Sequence, residues 1–355
     1  MMQRSPKLFV LTASAFIIAV LSGCNASQVA PLTPTQTILI KSSNTPSATG
    51  ELVLTFVPTE TETLIAYETA TLTQPAPTNT PNPFPTNNPD LCSETYCILE
   101  HNFLLQRPIS GDDNDWIDPF YPYGSTASGI YEPHHGVEFN NAYGTSVLAA
   151  SDGVVVVAGE DLKIKYADYN NFYGNLIVIE HGLSGYTEPV FTLYGHLSEI
   201  EVTEGQWVKA GEPIGAVGVA GAAIGSHLHF EVRLGVNSYD QTYNPALWLP
   251  PKQSTNAEVL GMLAGLIVNQ EGEAQLNRQL TLEALEKNDE GRKLRYYFET
   301  YASADLNSNE QIHENFVLAD LPAGDYRLTT VAGKVFEFYL SIHPGKISFI
   351  SIQIP

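Results

Sequence analysis

The sequence predicts a mainly β protein with two folded domains behind a disordered N-terminal tether. Three observations favour this fold class: short runs rich in Val and Ile, Gly-containing turns between those runs, and no sustained 3.6-residue apolar period in the central region. The chain has 355 residues, of which 43% are hydrophobic, so it is long enough to build two modest cores. We expect a compact β-sandwich or barrel-like domain followed by a small β-sandwich.

The N-terminus has the pattern of a secretory signal. Arg4 and Lys7 precede an apolar stretch, residues 8–21, that is too short to span a bilayer of about 30 Å comfortably. The stretch ends in Leu-Ser-Gly-Cys, which resembles the lipobox of bacterial lipoproteins, whose cysteine becomes the acylated first residue. The resemblance implies a signal peptide over residues 1–23 and a lipid anchor on Cys24. An ordinary signal peptide or a short membrane anchor is the alternative, and all three place the remaining chain outside the cytoplasm, at the cell envelope.

Residues 24–90 are predicted to form a disordered linker. Thr, Pro, Ser and Asn dominate this segment, and large apolar residues are few after Phe56. Such a composition does not bury enough apolar surface to fold, and proline favours extended conformers. We expect a tether that holds the folded part away from the membrane, with a marginal strand pair over residues 51–57 as the alternative.

Cys92 and Cys97 are the two other cysteines of the chain, with four residues between them. Outside the cytoplasm a disulfide closing a small local loop is the expected state. Zinc binding by this pair is the alternative, although two isolated thiols lack the remaining ligands of a zinc site.

The folded part of the sequence divides into two β-rich segments. Residues 91–250 contain short apolar runs bounded by Gly, Asp and Asn, and residues 251–257 form a polar linker. Residues 258–355 also alternate in strand fashion, with turns at Leu-Pro-Ala-Gly-Asp-Tyr and His-Pro-Gly-Lys. One stretch around Leu280 and Leu282 combines helix-forming residues with an alternating Leu pattern and fits neither period well.

The charge balance excludes one class of partner. The formal net charge is -22 at pH 7, and nucleic-acid binding requires clustered Lys and Arg against a phosphate backbone. We therefore expect no nucleic-acid partner, and we interpret the acidity as a solvated surface.

Four histidines and a glutamate are the candidate functional residues of the first segment. In a strand, alternate side chains share a face, so His134 and Glu138 are predicted to point the same way, as are His227 and His229. Catalytic zinc takes three protein ligands and leaves a fourth position for water. His134, Glu138 and one histidine of the His-Leu-His run suit such a site, and the other histidine and His196 can move protons or stabilise an oxyanion.

These residues resemble the motifs of the lysostaphin-like peptidases, zinc enzymes that cut peptide cross-links in bacterial peptidoglycan. The resemblance covers about residues 133–248 and includes His-His-Gly-Val-Glu, Tyr-Gly-His-Leu and His-Leu-His-Phe-Glu. It implies zinc as the cofactor and peptidoglycan cross-links as the substrate. The implied zinc ligands are His134, Glu138 and His229, and the implied catalytic residues are His196 and His227.

One position departs from the family pattern, which has Asp where this chain has Glu138. The extra methylene moves the carboxylate outward by on the order of 1.5 Å, which weakens a metal site unless the strand adjusts. A glutamate beside two histidines is nevertheless an accepted zinc ligand set. We therefore expect an active zinc endopeptidase that acts in cell-wall remodelling.

The C-terminal segment, residues 258–355, is similar to the prealbumin-like regulatory domains appended to carboxypeptidases. His313 and His343 are isolated there, so we expect this segment to space, pack or bind rather than to catalyse. Two alternative functions stay open from the sequence. One is a metal-free peptidoglycan-binding or amidase-activating module that uses the same groove, and the other is an adhesin that works through the C-terminal segment.

Overall fold

The structure is a computed structural model and describes residues 95–100, 103–254, 258–288 and 290–355. The predicted signal peptide, the lipidation site Cys24, the predicted tether and Cys92 lie outside the described residues. Cys97 is disulfide-bonded, and its pairing with Cys92 stays a prediction. Among the described residues, no helix has the length and apolar character required to cross a membrane.

Strands dominate the described part of the chain, which confirms the predicted mainly β fold class. Two short 3₁₀ helices, Tyr239–Gln241 and Pro245–Leu247, are the only helices assigned in the described ranges. The strands, in chain order, are β1 (Tyr96–Leu99), β2 (Val137–Asn140), β3 (Ser146–Leu148), β4 (Gly153–Glu160), β5 (Asn175–His181), β6 (Val190–Gly195), β7 (Glu199–Ile200), β8 (Trp207–Val208), β9 (Pro213–Ala216), β10 (His227–Leu234), β11 (Thr242–Tyr243), β12 (Gly261–Val268), β13 (Gln279–Ala284), β14 (Arg295–Glu299), β15 (Phe316–Leu321), β16 (Gly324–Ala332), β17 (Lys334–Ile342) and β18 (Ile347–Gln353).

A seven-stranded antiparallel sheet forms the centre of the first segment. Its order is β11-β10-β6-β5-β4-β8, and β2 pairs with the first four residues of β10 on the same edge as β11, opposite β6. Strand β10 is buried along nearly all of its length, as expected for an inner strand with neighbours on both edges. A second, three-stranded sheet of this segment has the order β3-β9-β7.

The C-terminal segment contains two four-stranded sheets, of order β1-β18-β12-β15 and β14-β13-β16-β17. Leu280 and Leu282 point into the core between them, so the alternating pattern of this stretch prevailed over its helix-forming composition. Strand β1 pairs with β18, although it lies at the start of the segment predicted as the first domain.

One hydrophobic core runs from the central sheet into the C-terminal segment. It includes Val137 and Phe230 of the central sheet together with Met262 and Phe349 of the C-terminal strands. A buried ion pair between Arg107 and Asp320, 2.6 Å apart, also joins the two segments. Because the two segments share a core, contacts between them are part of the fold. The domain boundaries inferred from the sequence stay a prediction.

Candidate metal centre

Strand pairing places the glutamate and one histidine of the candidate site side by side. Strands β2 and β10 are antiparallel, with His229 opposite Glu138 and His227 opposite Asn140. Alternation along β10 puts both histidines on one face of the sheet, while Leu228 on the other face is fully buried in the core. The sequence predicted this alternation for the His-Leu-His run.

His134 reaches the site from a loop rather than from a strand. Strand β2 begins at Val137, so the strand alternation expected between His134 and Glu138 does not apply to the whole segment. The loop nevertheless delivers His134 to the same place: one ligand atom each of His134, Glu138 and His229 lies within 4.8 Å of the others. The structure therefore brings together the three residues whose identity as ligands was predicted.

The separations of these atoms are close to those of a zinc site. The distance from His134 Nε2 to His229 Nδ1 is 3.2 Å, and that from His134 Nε2 to Glu138 Oε1 is 4.0 Å. Two nitrogens bound tetrahedrally to one zinc ion lie about 3.3 Å apart, given Zn–N bonds of about 2.05 Å. The histidine pair meets this spacing, and the glutamate oxygen is slightly farther away.

The hydrogen bonds of the two rings show which nitrogens are free to bind a metal. His134 Nδ1 lies 2.6 Å from the carbonyl oxygen of Tyr121, which only accepts, so this nitrogen carries the proton. His229 Nε2 lies 3.0 Å from Glu231 Oε1 and donates to that carboxylate. In the neutral rings, the two nitrogens that face each other are both acceptors. Their lone pairs repel each other unless a positive charge lies between them, so the donor set fits a metal ion.

Burial favours the neutral form of His134, His196 and His227. Burial, followed by the nearby His229 ring, lowers the pKa of His134 well below its ordinary value, that of His196 to about 3 and that of His227 to about 4. Burial also raises the pKa of Glu138, partly offset by His229. A cation at this site would favour the ionised form of the Glu138 carboxylate and would be tolerated by neutral imidazoles.

The two remaining histidines flank the ligand group. His196 follows β6 in a left-handed conformation with φ of 62°, and its Nδ1 lies 2.8 Å from the carbonyl oxygen of Ala220. His227 Nδ1 lies 3.2 Å from the carbonyl oxygen of Gly225, and Glu138 Oε1 lies 3.5 Å from its Nε2. That Nε2 is buried and makes no hydrogen bond to any described residue. Both rings thus donate through Nδ1 and present Nε2 as an acceptor.

A buried network behind His229 was missed in the sequence reasoning. Glu231 Oε2 accepts from Arg233 Nε at 2.7 Å, its Oε1 accepts from the hydroxyl of Tyr173, and all three side chains are buried. Burial raises the pKa of Glu231, but the Arg233 charge and the hydrogen bonds of His229 and Tyr173 outweigh it and lower this pKa to about 2. The available signal was the alternation itself, since Glu231 and Arg233 continue the face of His227 and His229.

The aromatic residues of the loop before His134 have different roles. Tyr121 stacks on the His134 ring with centroids 4.0 Å apart, and Tyr131 lies beside Tyr121 at the protein surface. Tyr123 is buried and donates to the carbonyl oxygen of Thr242. Trp116 packs under the Lys252 ammonium group. Of these four aromatic residues, Tyr121 therefore lies against a candidate metal ligand, and Tyr131 lies next to Tyr121.

His135 and His181 are hydrogen-bonded to partners outside the ligand group. His135 Nδ1 lies 2.8 Å from Thr242 Oγ1, and its ring stacks on Tyr239. His181 has both ring nitrogens hydrogen-bonded inside the central sheet, to Asp152 O and Thr192 Oγ1. These partners give both residues structural roles.

Residues 132–245 match the sequence profile of Peptidase family M23. The chain contains a Peptidase M23 domain. All three predicted ligands, together with His196 and His227, fall inside the matched range. The M23 domain therefore contains the whole candidate metal centre.

Proteins similar to the M23 domain include a "Peptidoglycan DD-endopeptidase ShyA" of Vibrio cholerae, 38% identical over 100 residues, which are 28% of this chain and 20% of that protein. An "Uncharacterized lipoprotein YgeR" of Escherichia coli is 36% identical over 133 residues, 38% of this chain and 44% of that protein. The catalytic domain of lysostaphin from Staphylococcus simulans is a similar solved structure, at 33% identity, a TM-score of 0.28, and coverage of 35% of this chain and 82% of that one. The chain thus spans less than half of the length of these two curated relatives.

Proposed function

We propose that this chain is a zinc-dependent endopeptidase that hydrolyses peptide bonds in bacterial peptidoglycan and acts in cell-wall remodelling. The observation that carries the proposal is the pair of unprotonated nitrogens, His134 Nε2 and His229 Nδ1, 3.2 Å apart beside a carboxylate in an M23 domain. The name of the Vibrio cholerae relative supports the substrate class.

His134, Glu138 and His229 would hold the metal in this proposal. Bound zinc supplies a Lewis acid that polarises a peptide carbonyl and lowers the pKa of water. The carboxylate of Glu138 contributes the negative charge that two neutral imidazoles lack. With its extra methylene relative to aspartate, the Glu138 side chain places Oε1 4.0 Å from His134 Nε2 and 3.5 Å from His227 Nε2.

His196 and His227 act as proton acceptors in this proposal. Each ring has its Nδ1 proton directed at a carbonyl oxygen, so each neutral ring presents Nε2 without a proton. An acceptor nitrogen can take a proton from water, whereas stabilising an oxyanion requires a donor. The tautomers therefore favour proton transfer over oxyanion binding as the first duty of these two histidines.

The proposed location is extracytoplasmic, at the cell envelope, where a lipid on Cys24 anchors the chain to a membrane. The lipobox-like sequence supports this location, as does the lipoprotein name of the Escherichia coli relative. Peptidoglycan lies outside the cytoplasm, so anchor and substrate are in the same compartment.

A metal analysis joined to a digest of purified peptidoglycan tests the function. The protein is stripped with a chelator, reloaded with zinc, and incubated with peptidoglycan of several cross-link types. We expect about one zinc ion per chain and the release of new amino groups only after reloading. Zinc binding without amine release from any peptidoglycan would contradict the catalytic claim and favour a binding module that uses the same groove.

A further inference from the structure

The C-terminal segment contacts the loop that delivers His134 to the metal centre. Glu299, the last residue of β14, accepts three hydrogen bonds through Oε1: from the Thr126 amide at 2.7 Å, from Ser125 Oγ at 2.8 Å and from Thr126 Oγ1 at 3.1 Å. The second oxygen, Oε2, accepts from Gln279 of the neighbouring strand at 2.8 Å. One carboxylate thus fixes a turn that lies 173 residues away in the sequence.

The same turn is hydrogen-bonded to the backbone of His134 on both sides. The His134 amide donates to the carbonyl oxygen of Ser125 at 3.0 Å, and the Gly124 amide donates to the carbonyl oxygen of His134 at 2.8 Å. Ser125 is therefore bonded both to Glu299 and to the backbone of the metal ligand, and Gly124, the residue before it, makes the second bond to that backbone. Within the described part of the chain, the hydrogen bonds of Glu299 go to Ser125, Thr126 and Gln279, and none goes to His134.

A second contact from the C-terminal segment reaches the turn next to Glu299. The Ala302 amide donates to the carbonyl oxygen of Gly124 at 2.8 Å, and the ring of Tyr301 lies against Gly124. Gly124 has φ of +80°, and a Cβ atom there would lie 2.3 Å from Tyr301 Cδ1. Only glycine fits both the backbone conformation and the close approach of the ring. The turn is thus shaped to receive the C-terminal segment.

We propose that Glu299 is a positioning residue: it clamps the turn at Ser125 and Thr126, and through that turn it holds His134 in place for metal binding. The C-terminal segment is then part of the metal centre's support rather than only a spacer or a binding module. The inference rests on the proposed function, because a positioned ligand serves hydrolysis only if the metal does.

Amide hydrogen exchange of the metal-free, full chain tests the clamp without any use of activity. In Glu299→Ala, we expect the amides of Gly124 and His134 to exchange about tenfold faster than in the unsubstituted chain, because the turn that bonds to them loses its anchor. Glu299→Gln keeps an acceptor oxygen for the Thr126 amide and for Ser125 Oγ, so its exchange rates are expected to stay within about threefold. Glu337→Ala is the matched control, since Glu337 lies on the same sheet and pairs with Arg327.

Zinc affinity, measured by chelator competition on the same variants, gives the second readout. Loss of a residue that orients a ligand typically costs about 10- to 100-fold in metal affinity, and we expect about tenfold for Glu299→Ala because it acts through the turn. Glu299→Gln should recover most of that loss, and Glu337→Ala should show none. A thermal melt of each variant separates this effect from unfolding.

The outcomes distinguish the inference from the proposed function. Faster exchange at Thr126 alone, with His134 and Gly124 unchanged, would show that the clamp ends at the turn and would overturn the inference. Equal zinc affinity in Glu299→Ala and the unsubstituted chain would overturn it as well. If the chain binds zinc with the expected dependence on Glu299 but releases no amines from peptidoglycan, the proposed function is wrong and the positioning role of Glu299 is supported.

Discussion

The two halves of the candidate metal centre are held in place by different means. Glu138 and His229 lie on paired strands, where the antiparallel register of β2 and β10 sets them opposite each other. His134 lies on a loop, where the turn at Ser125 and Thr126 holds its backbone. The strand-borne half depends on neighbours within the central sheet, whereas the loop-borne half depends on contacts with the C-terminal segment.

This difference predicts two kinds of response to substitution. Strand-borne ligands have their backbone groups bonded in the sheet, so changing a side chain there removes a ligand and leaves the backbone in place. The loop-borne ligand keeps its side chain when a distant contact is lost, but its position becomes less well defined, and metal affinity falls by degrees. Substitution of a strand-borne ligand is therefore expected to abolish metal binding, whereas loss of a contact to the loop is expected to weaken it partially.

The largest effect is expected from substitution of His229. In His229→Ala, zinc binding and hydrolysis should both be lost, because a proposed ligand is removed from the strand-borne half. His227→Ala, two residues along the same face of β10, should keep about one zinc ion per chain and lose most of the hydrolysis, because His227 is proposed to accept protons rather than to bind metal. Metal content by atomic absorption and amine release from peptidoglycan measure the two properties.

This pair of variants decides between the two roles on one strand. His343→Ala serves as a control, since His343 lies in the turn after β17, far along the chain from the site residues. If His229→Ala retained stoichiometric zinc, the ligand assignment would be wrong. If His227→Ala lost zinc to the same extent, the division of roles along β10 would have to be abandoned.

A smaller effect on the metal centre is expected from Glu231→Gln. Glu231 accepts from His229 Nε2 and so keeps the Nδ1 lone pair of that ring directed at the metal position. An amide at this position presents a donor as well as an acceptor, so the ring orientation is less well fixed. We expect zinc affinity to fall about 10- to 100-fold, as for other residues that orient a metal ligand.

The same variant should also destabilise the fold, because Arg233 is fully buried and loses its charged partner. Removal of one member of a buried ion pair costs about 3–5 kcal/mol, and Gln retains part of the hydrogen bonding, so we expect about 3 kcal/mol. Urea denaturation measures this loss, with Glu180→Gln, exposed on β5, as the control. Unchanged affinity together with the expected loss of stability would show that Glu231 serves only the fold.

The strand-borne half could be predicted from the sequence because it follows from local rules. Alternation along the His-Leu-His-Phe-Glu run is enough to place His227 and His229 on one face and Leu228 in the core. The mainly β fold class followed from the same kind of pattern. The same alternation, followed along the strand to Arg233, also places Glu231 and Arg233 on the face of the two histidines.

The loop-borne half could not be predicted in the same way, because it depends on contacts between residues far apart in the chain. Nothing in the sequence around Thr126 indicates that its amide donates to Glu299. For the same reason no local pattern indicates that β1 joins the C-terminal sheet or that Tyr123 packs on Tyr301. Hydrogen bonds between distant loops follow from the assembled fold and not from periodicity.

The smallest effect on the metal centre is expected from substitution of Glu314, which contacts the loop-borne half indirectly, through Tyr301. Its Oε1 accepts from the hydroxyl of Tyr301, the residue that lies against Gly124. Burial raises the pKa of Glu314 to about 7, above its ordinary value of 4.5. The folded chain therefore keeps this proton at pH values where the unfolded chain has released it, so stability falls as the pH rises from about 4.5 to about 7.

The size of this effect is on the order of 3 kcal/mol in the free energy of unfolding, from the difference between the two pKa values. Urea denaturation at pH 5 and pH 8 should show this loss in the unsubstituted chain, and Glu314→Gln should lack that component because a neutral amide does not titrate. Zinc affinity of Glu314→Gln should stay within about threefold, since Gln can still accept from Tyr301. The same pH dependence of stability in both chains would show that another group is responsible. A large loss of zinc affinity in Glu314→Gln would show that Glu314, like Glu299, helps to position His134.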